Sequence, residues 1–458
     1  MPSPTSLSQT AQLANFLTQL NGSIDRRLLE LATARLVDTS AVMIFGSEQP
    51  WSRSVIDHSL ASGASGNCTV IGQREATTSA MAALANGASA HAFELDDVHE
   101  EAISHPGAVV IPAALALAEE LNKSGHDLLE AIVIGYEAMG RAGIAVGPAS
   151  HMLAGFHPTS MSGVFGAAAA AGRLLNFDSS KMNHALGIAA SLASGTMEFA
   201  SSGGMAKRLH AGRAAEGGLT AALLAARGFE GSLDGLAGKY GFCRIFTDEP
   251  QLELLTDRLG QRWMLDEITV KPYAACSDIH PMIQATMQLR SEYQFEPGDI
   301  ESIELEGPTK AAVQNDMDGT TSVMAAQYSA QFNVAAALIS DPIDPDTYQP
   351  ENICLPQFAA LQQKVTSIRA AEEFDATYAW KMGGRVRINL SSGKIISATV
   401  HGQKGSMHDP LEASELAAKF SRLTQGRVNP KLEELLWSIG DAEDLTSLAA
   451  TLRQSTNE

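Results

Sequence analysis

A mainly α chain is predicted, with a large all-α helical domain and a smaller α+β domain. Three observations carry this prediction. From Leu7 to about Leu255 the apolar residues recur at helical spacing, as in DRRLLELATARLVDTSAVMIF and HDLLEAIVIGYEAMGRAGIAV. Near Trp263 the pattern turns to alternating strands, in ITVKPYAAC, DIESIELEGP and GRVRINLSSGKIISATVHG. The length of 458 residues exceeds the ~250–300 residues at which one core stops growing.

Taken in order, the first half reads as helices rich in small residues: GVFGAAAAAGRLL, GIAASLASGTMEF and GLTAALLAARG. Small side chains let helix axes approach closely but bury little area each, so these helices are expected deep in a core. Between about residues 266 and 404 the strand patterns alternate with helical ones in HPMIQATMQLRSEY, SAQFNVAAALIS and LPQFAALQQKV. Two β-patterned runs there are joined by a Ser-Ser-Gly turn. The tail, with PLEASELAAKFSRL and NPKLEELLWSIG, is again amphipathic helix and is expected to pack on the first domain. The predicted division is residues 1–265 with 405–458 as the helical domain and 266–404 as the smaller one.

With 32 Lys+Arg against 52 Asp+Glu, the net charge of −20 repels nucleic acid and anionic lipid. The start lacks the basic and apolar regions of a signal peptide, and no apolar run reaches a membrane-spanning ~20 residues. Cys68, Cys243, Cys276 and Cys354 form no CxxC pair, which fits a reducing compartment. A cytoplasmic protein, with no nucleic-acid or membrane partner, is the expectation.

Four stretches have the composition of chemistry. HAFELDDVHEEAISHPG, residues 91–107, gathers three histidines and five carboxylates ahead of an apolar helix. Read as a helix, it places His91, Glu94 and Val98 on one face with Asp97 at its edge, and turns Asp96 and His99 away. It has neither HExxH spacing nor a downstream ligand at a recognised interval, so no metal is expected. A solvated polar helix end is the plain alternative. Against it stands His105-Pro106-Gly107, a sharp turn that fixes an imidazole at the mouth of a core helix and suits an acid/base group. Within this stretch His91, His99, Glu100 and Glu101 are expected to be support or surface.

A second His-Pro turn, His157-Pro158 in GFHPTSMSGVFG, again opens a buried helix; taken alone, each such turn is more often structural than catalytic, because proline is favoured in a first helical turn. The third stretch, SSGGMAKRLHAGRAAEGG, carries Lys207, Arg208, His210 and Arg213 with no acid between Gly203 and Ala215. Such a cationic island in an acidic chain implies an anionic ligand, and the preceding glycines would let backbone N–H groups approach it; an ordinary basic surface helix is the alternative. There is no Walker lysine pattern and no GxGxxG after a strand, which argues against a nucleotide. The fourth, VKPYAACSDIHPMIQA, offers Lys271, Cys276 and His280 near the predicted domain junction. Cys276 is expected to be a buried, inert thiol.

Together these motifs resemble the MmgE/PrpD family, whose members include 2-methylcitrate dehydratase, cis-aconitate decarboxylase and iminodisuccinate epimerase. The resemblance rests on NGASAHAFELDDVHEEAISHPGAVVIPAALALAEE, GFHPTSMSGVFGAAAAAGRLL, GGMAKRLHAGRAAEGGLTAALLAARGFEG and KPYAACSDIHPMIQA, with weaker echoes to about residue 412. It implies a helical domain, a chorismate-mutase-like α+β lid, a homodimer, no metal or organic cofactor, and di- or tricarboxylate substrates. Set against the decarboxylase pocket, His105, His157, Lys207 and Lys271 stand where that enzyme has the same residue types. Four positions depart: Glu94 replaces an aspartate, Val98 a threonine, Cys276 a histidine and Phe332 a tyrosine. The last two losses remove proton donors that decarboxylation needs to reprotonate carbon.

The resemblance thus implies proton removal from a carbon beside a carboxylate, with dehydration of a citrate-like substrate as the leading expectation and epimerisation of a dicarboxylate such as iminodisuccinate as the alternative. Decarboxylation and a non-catalytic binding protein come after these. His105, His157 and His280 are the expected acid/base groups, with a protonated histidine helping hydroxide leave and with Asp97 or Glu94 orienting an imidazole. Lys207, Lys271, Arg208 and Arg213 are the expected carboxylate ligands, with Cys276 lining the pocket.

Overall fold

A computed structural model describes residues 7–20, 24–62, 65–147, 155–199, 204–317, 319–320, 322–376 and 382–453. The chain is mainly helical with a small mixed sheet. It divides into two compact units. One comprises residues 1–92, 96–268 and 416–458; the other comprises 93–95 and 269–415. No helix among the described residues is long and apolar enough to cross a membrane.

The larger unit is built on α1 (Gln9–Gln19), α2 (Arg26–Ser47), α3 (Pro50–Leu60), α4 (Ser79–Ala90), α5 (Gly107–Glu120), α6 (Gly125–Ala145), α7 (Pro158–Leu174), α8 (Ser179–Ala190) and α9 (Ala206–Ala226). Each start has a local cause. Asp25, Ser124 and Asp178 cap α2, α6 and α8 with side-chain oxygens, and Pro158 occupies the first turn of α7. The centre of the unit is Ala- and Gly-rich as expected, and the small residues set the helix spacing. A methyl on Gly212 of α9 would lie 2.2 Å from the Leu84 carbonyl of α4, and one on Gly87 of α4 would lie 2.8 Å from the Gly212 Cα. Those two helices therefore touch backbone to backbone, which fixes their ends relative to each other.

In the smaller unit, strands β1 (Ile300–Gly307), β2 (Val365–Ala370), β3 (Gly384–Leu390) and β4 (Ile395–Val400) form a sheet of order β2-β1-β3-β4. β1 and β2 run parallel; the other pairs are antiparallel. Register pairs Ile303 with Ile388 and Val386 with Ala398, so the buried face carries Ile303, Leu305, Val386, Ile388 and Ile396. The Ser-Ser-Gly turn between β3 and β4 is present, with Gly393 at φ 82°, where a side chain would be strained. Helix α10 (His280–Glu292) lies against this sheet, its Met282 methyl occupying the space above Gly307. Helix α11 (Ala330–Ile339) is a further buried element of the unit.

Three local expectations are corrected. HAFELDDVHEE is not a helix: α4 ends at Ala90, and the following residues form turns and bends around a two-residue strand at Val98–His99. Glu94 there adopts a left-handed φ of 56°, which a helix does not tolerate. ITVKPYAAC is strand only at Ile268–Thr269, since Pro272 removes an N–H that a ladder would use. GIAASLASGTMEF leaves the helix after Ala190, and Gly195 sits at φ 128° in the turn that follows.

Candidate active site

Four helix ends of the larger unit meet at a file of imidazoles. His91 is the C-cap of α4, His105 stands two residues before α5, His157 is the N-cap of α7, and His210 sits in the first turns of α9. Ring centroids are 4.9 Å apart for His105 and His91, 5.7 Å for His91 and His157, and 5.1 Å for His157 and His210. His91, His105 and His157 are buried, whereas His210 is half-buried.

The turn at His105 is built by Asp97. The His105 Nδ1–H donates to the Asp97 backbone carbonyl at 2.8 Å, so Nδ1 carries the hydrogen and Nε2 is the basic nitrogen of the neutral ring. The Asp97 carboxylate turns the other way: Oδ1 accepts the Gly107 N–H at 2.8 Å and Oδ2 accepts the Tyr136 hydroxyl at 2.7 Å. A methyl on Gly107 would lie 2.8 Å from Asp97 Oδ1, which explains the glycine after His-Pro. Burial pushes the Asp97 carboxyl up to about 6 against the lowering pull of Tyr136, Gly107 and Arg35.

Asp96, rather than Asp97 or Glu94, is the carboxylate that orients imidazoles. Its Oδ2 lies 2.6 Å from His91 Nδ1 and 3.4 Å from His105 Nδ1. The opposite nitrogen, His91 Nε2, is buried with no hydrogen-bond partner among the described residues. Ligand atoms of His91, Asp96 and His105 all lie within 4.8 Å of one another, a spacing that would also admit a metal ion. The 2.6 Å separation is that of a charge-assisted hydrogen bond, shorter than the ~3.3 Å between ligands placed tetrahedrally around an ion at ~2.0–2.1 Å.

His157 and His210 share a hydrogen bond of 3.0 Å between their Nδ1 atoms. Phe199 meets both rings edge-on, at 5.5 Å and 5.7 Å. Burial holds His157 well below the usual imidazole range, and the nearby His91, His210 and Lys207 push in the same direction. The positive end of α7 adds to this. His210 is lowered to about 4, first by burial and then by His91 and Lys207. Both rings are therefore held toward the neutral form.

The cationic island divides on α9. Lys207 is 2% exposed and lies close enough to depress both histidines, so it belongs to this cluster. Arg208 donates from Nε to the Ala92 carbonyl at 3.0 Å and lies 4.0 Å over the Trp51 ring, which makes it a brace for the turn after α4. Arg213 is largely exposed and pairs with Glu216 at 2.6 Å. The helical step of 100° separates both arginines from Lys207. Gly203 lies outside the described residues, so the expected backbone contribution of the glycines before α9 rests on Gly204 alone.

Several residues set aside in the sequence as support or surface are interior. His99 is fully buried, with Nδ1 accepting the Ala102 N–H at 3.2 Å and Nε2 3.5 Å from Glu267. Burial lowers it to about 4. Glu267 and Glu101 both pair with Arg262, closing a structural ion cluster.

Within the smaller unit, Lys271 Nζ lies 3.1 Å from Glu94 Oε2, both side chains being buried. His280 is fully buried; its Nε2–H donates to the Ala275 carbonyl at 3.1 Å and its ring packs 5.0 Å from Tyr273, an arrangement that closes the 275–280 turn. Burial pushes the Cys276 thiol up to about 11, so it is protonated at neutral pH. Phe332 is buried in an aromatic group with Tyr348 and Phe358.

Residues 11–255 match the MmgE/PrpD N-terminal domain and residues 273–442 the MmgE/PrpD C-terminal domain. The chain belongs to the MmgE/PrpD family. Among curated relatives, this MmgE/PrpD chain is 30% identical to a cis-aconitate decarboxylase of Aspergillus terreus over 471 aligned positions, covering 97% of this chain and 95% of the relative. A cis-aconitate decarboxylase-like protein of Aspergillus oryzae is 29% identical, with 97% of each chain covered. The human cis-aconitate decarboxylase is 27% identical over 94% of this chain and 92% of its own.

The sequence pointed to His105, His157 and Lys207 of the histidine cluster, placed His210 in the cationic island without an acid/base role, gave His91 only a supporting place, and turned Asp96 away from the site. A helical projection of residues 91–101 hid Asp96. His210 carried a signal in its i+3 spacing from Lys207, which puts both on one helix face.

Proposed function

We propose that this chain is a lyase of a citrate-like di- or tricarboxylate that needs no cofactor, and that it dehydrates a hydroxy acid such as 2-methylcitrate. The observation that carries the reading is the buried file of imidazoles with Lys207 beside it. A carbon acid next to a carboxylate is weak, so its proton is taken only by a well-placed base in a site that stabilises the growing enolate-like charge. His105 fits the base: its Nδ1–H is fixed on Asp97, which leaves Nε2 to accept the proton. His157 fits the acid that delivers a proton to the leaving hydroxyl, which departs as water. Lys207 fits a ligand for a substrate carboxylate, and the charge of a bound polyanion raises the proton affinity of the histidines beside it. Lys271, held beside Glu94 within the smaller unit, is proposed as a carboxylate-binding cation.

The names of the relatives favour a second reading, decarboxylation of cis-aconitate. Two observations weigh against it for this chain. Cys276 stands as a neutral, buried thiol and Phe332 as an apolar ring, so neither supplies the strong proton donor that carbon reprotonation asks for.

Proton NMR of the EDTA-treated protein in D2O separates the readings. An alkene formed from 2-methylcitrate or citrate supports dehydration. Itaconate formed from cis-aconitate replaces it with decarboxylation, and deuterium entry with inversion of iminodisuccinate and no alkene replaces it with epimerisation. Activity lost with EDTA and restored by a divalent ion would overturn the cofactor-free part and give His91, Asp96 and His105 a ligand role. The expected homodimer is tested by light scattering of the same sample.

A further inference from the structure

We propose that His210 is a positioning residue that carries protons between solvent and His157, so that His157 changes from acid to base without becoming charged. This rests on the lyase reading above. The geometry is specific: the two Nδ1 atoms are 3.0 Å apart, and one hydrogen is shared between them. Among the described residues His210 is the hydrogen-bond partner of the His157 ring. Phe199 clamps both rings edge-on, which keeps the two Nδ1 atoms aligned. His157 is 5% exposed and shut from bulk water, whereas His210 is half-buried and reaches it. The His157 backbone N–H donates to the Gly195 carbonyl at 3.2 Å, so the position of the residue does not depend on its ring.

In one tautomer of the pair, His157 carries its hydrogen on Nε2 and accepts the His210 Nδ1–H. When His157 Nε2–H passes to the leaving hydroxyl, the C–O bond breaks and water departs. The His210 Nδ1–H shifts to His157 Nδ1, and a proton from solvent joins His210 Nε2. Both rings remain neutral, and His157 now presents a bare Nε2. The pair resets when the proton that His105 took from carbon passes through water to His157 Nε2, the His157 Nδ1–H returns to His210 Nδ1, and His210 Nε2 releases its proton to water. No proton is gained or lost over a cycle, and the imidazolium that this environment disfavours is never accumulated.

His210→Phe keeps a ring of similar size against Phe199 but removes the nitrogens, whereas His210→Ala leaves room for a small base. The relay predicts that both variants fold and bind substrate with KM changed less than about twofold while kcat falls at least ~100-fold, the usual worth of a placed proton-transfer group. Added imidazole restores part of kcat in His210→Ala and none in His210→Phe. Selective 15N labelling of histidine gives a readout that needs no turnover: the His157 ring nitrogens show averaged tautomers in the parent protein and one tautomer in His210→Phe. A kcat within about twofold of the parent in both variants, or a loss that imidazole does not rescue in His210→Ala, overturns the relay. If the parent turns over none of the carboxylates tried, the lyase reading fails by itself, and unchanged His157 nitrogen shifts in His210→Phe would then overturn the His210 assignment separately.

Discussion

Asp97 shows how one residue prepares a catalytic group with its backbone while its side chain holds the turn. Its carbonyl sets the His105 tautomer while its carboxylate holds the Gly107 N–H and the Tyr136 hydroxyl. Asp97→Ala strands both donors in a buried site, and each buried unsatisfied donor costs about 1–3 kcal/mol, so thermal unfolding should reveal a loss of roughly 2–6 kcal/mol. Asp97→Asn retains an acceptor for Gly107 and should be milder on stability. Since the backbone carbonyl survives either change, the KM of Asp97→Asn should be near that of the parent. The residues legible from sequence were His105 and His157, each tied to a His-Pro turn, and Lys207, which stands in a run of basic residues without an acid. Asp96 was not legible, because its direction depends on the break in helix after Ala90 and on Glu94 entering left-handed space, and neither follows from a hydrophobic period.

Helix ends are the elements of this site, and their spacing is set by glycine. The contact of Gly212 with the Leu84 carbonyl holds α9 against α4, which delivers Lys207 and His210 from one helix and His91 from the other. Gly212→Val forces the helices apart; overpacking of this kind destabilises by about 1–3 kcal/mol, and the accompanying shift should lower kcat more than KM rises. A Gly212→Val variant with parental melting temperature and parental kcat would contradict the role given to this contact. The helices and the four strands of the sheet were largely legible because period and propensity agree in them. The segments that failed were short: ITVKPYAAC reads as a strand in composition but is broken by Pro272, and GIAASLASGTMEF reads as a helix but leaves it after Ala190.

At the scale of the whole molecule, buried histidines and buried carboxylates act on the acid response in opposite directions. His99 and His210 are lowered to about 4 and His157 is held well below its usual range, so these rings are neutral in the native state and charge on unfolding below pH 6.5. A lowered native pKa means the unfolded chain binds the extra proton, so stability present above pH 6.5 is lost as pH falls toward 4. Between pH 7.5 and 5 the fully buried His99 alone contributes a loss of about 2 kcal/mol. Asp97 has the opposite sign: its native carboxyl keeps a proton up to about 6, so acidification over the same range favours the native state by about 1 kcal/mol. With His157 and His210 on the same side as His99, the net prediction is a lower urea midpoint at pH 5 than at pH 7.5. His99→Gln should shrink that difference. The net charge of −20 does not account for it, since acidification first reduces that charge and relieves self-repulsion.

In the proposed reaction His105 Nε2 removes the proton beside a substrate carboxylate. Deuterium entry at that carbon in D2O, followed with 2-methylcitrate and with the alkene product run in reverse, tests it most directly in the parent protein and in His105→Gln. The account predicts alkene formation with solvent-derived hydrogen at the α-carbon in the reverse reaction, and a loss of both by at least ~100-fold in a folded His105→Gln that still binds the carboxylate. Exchange that persists in His105→Gln at the parental rate would contradict it.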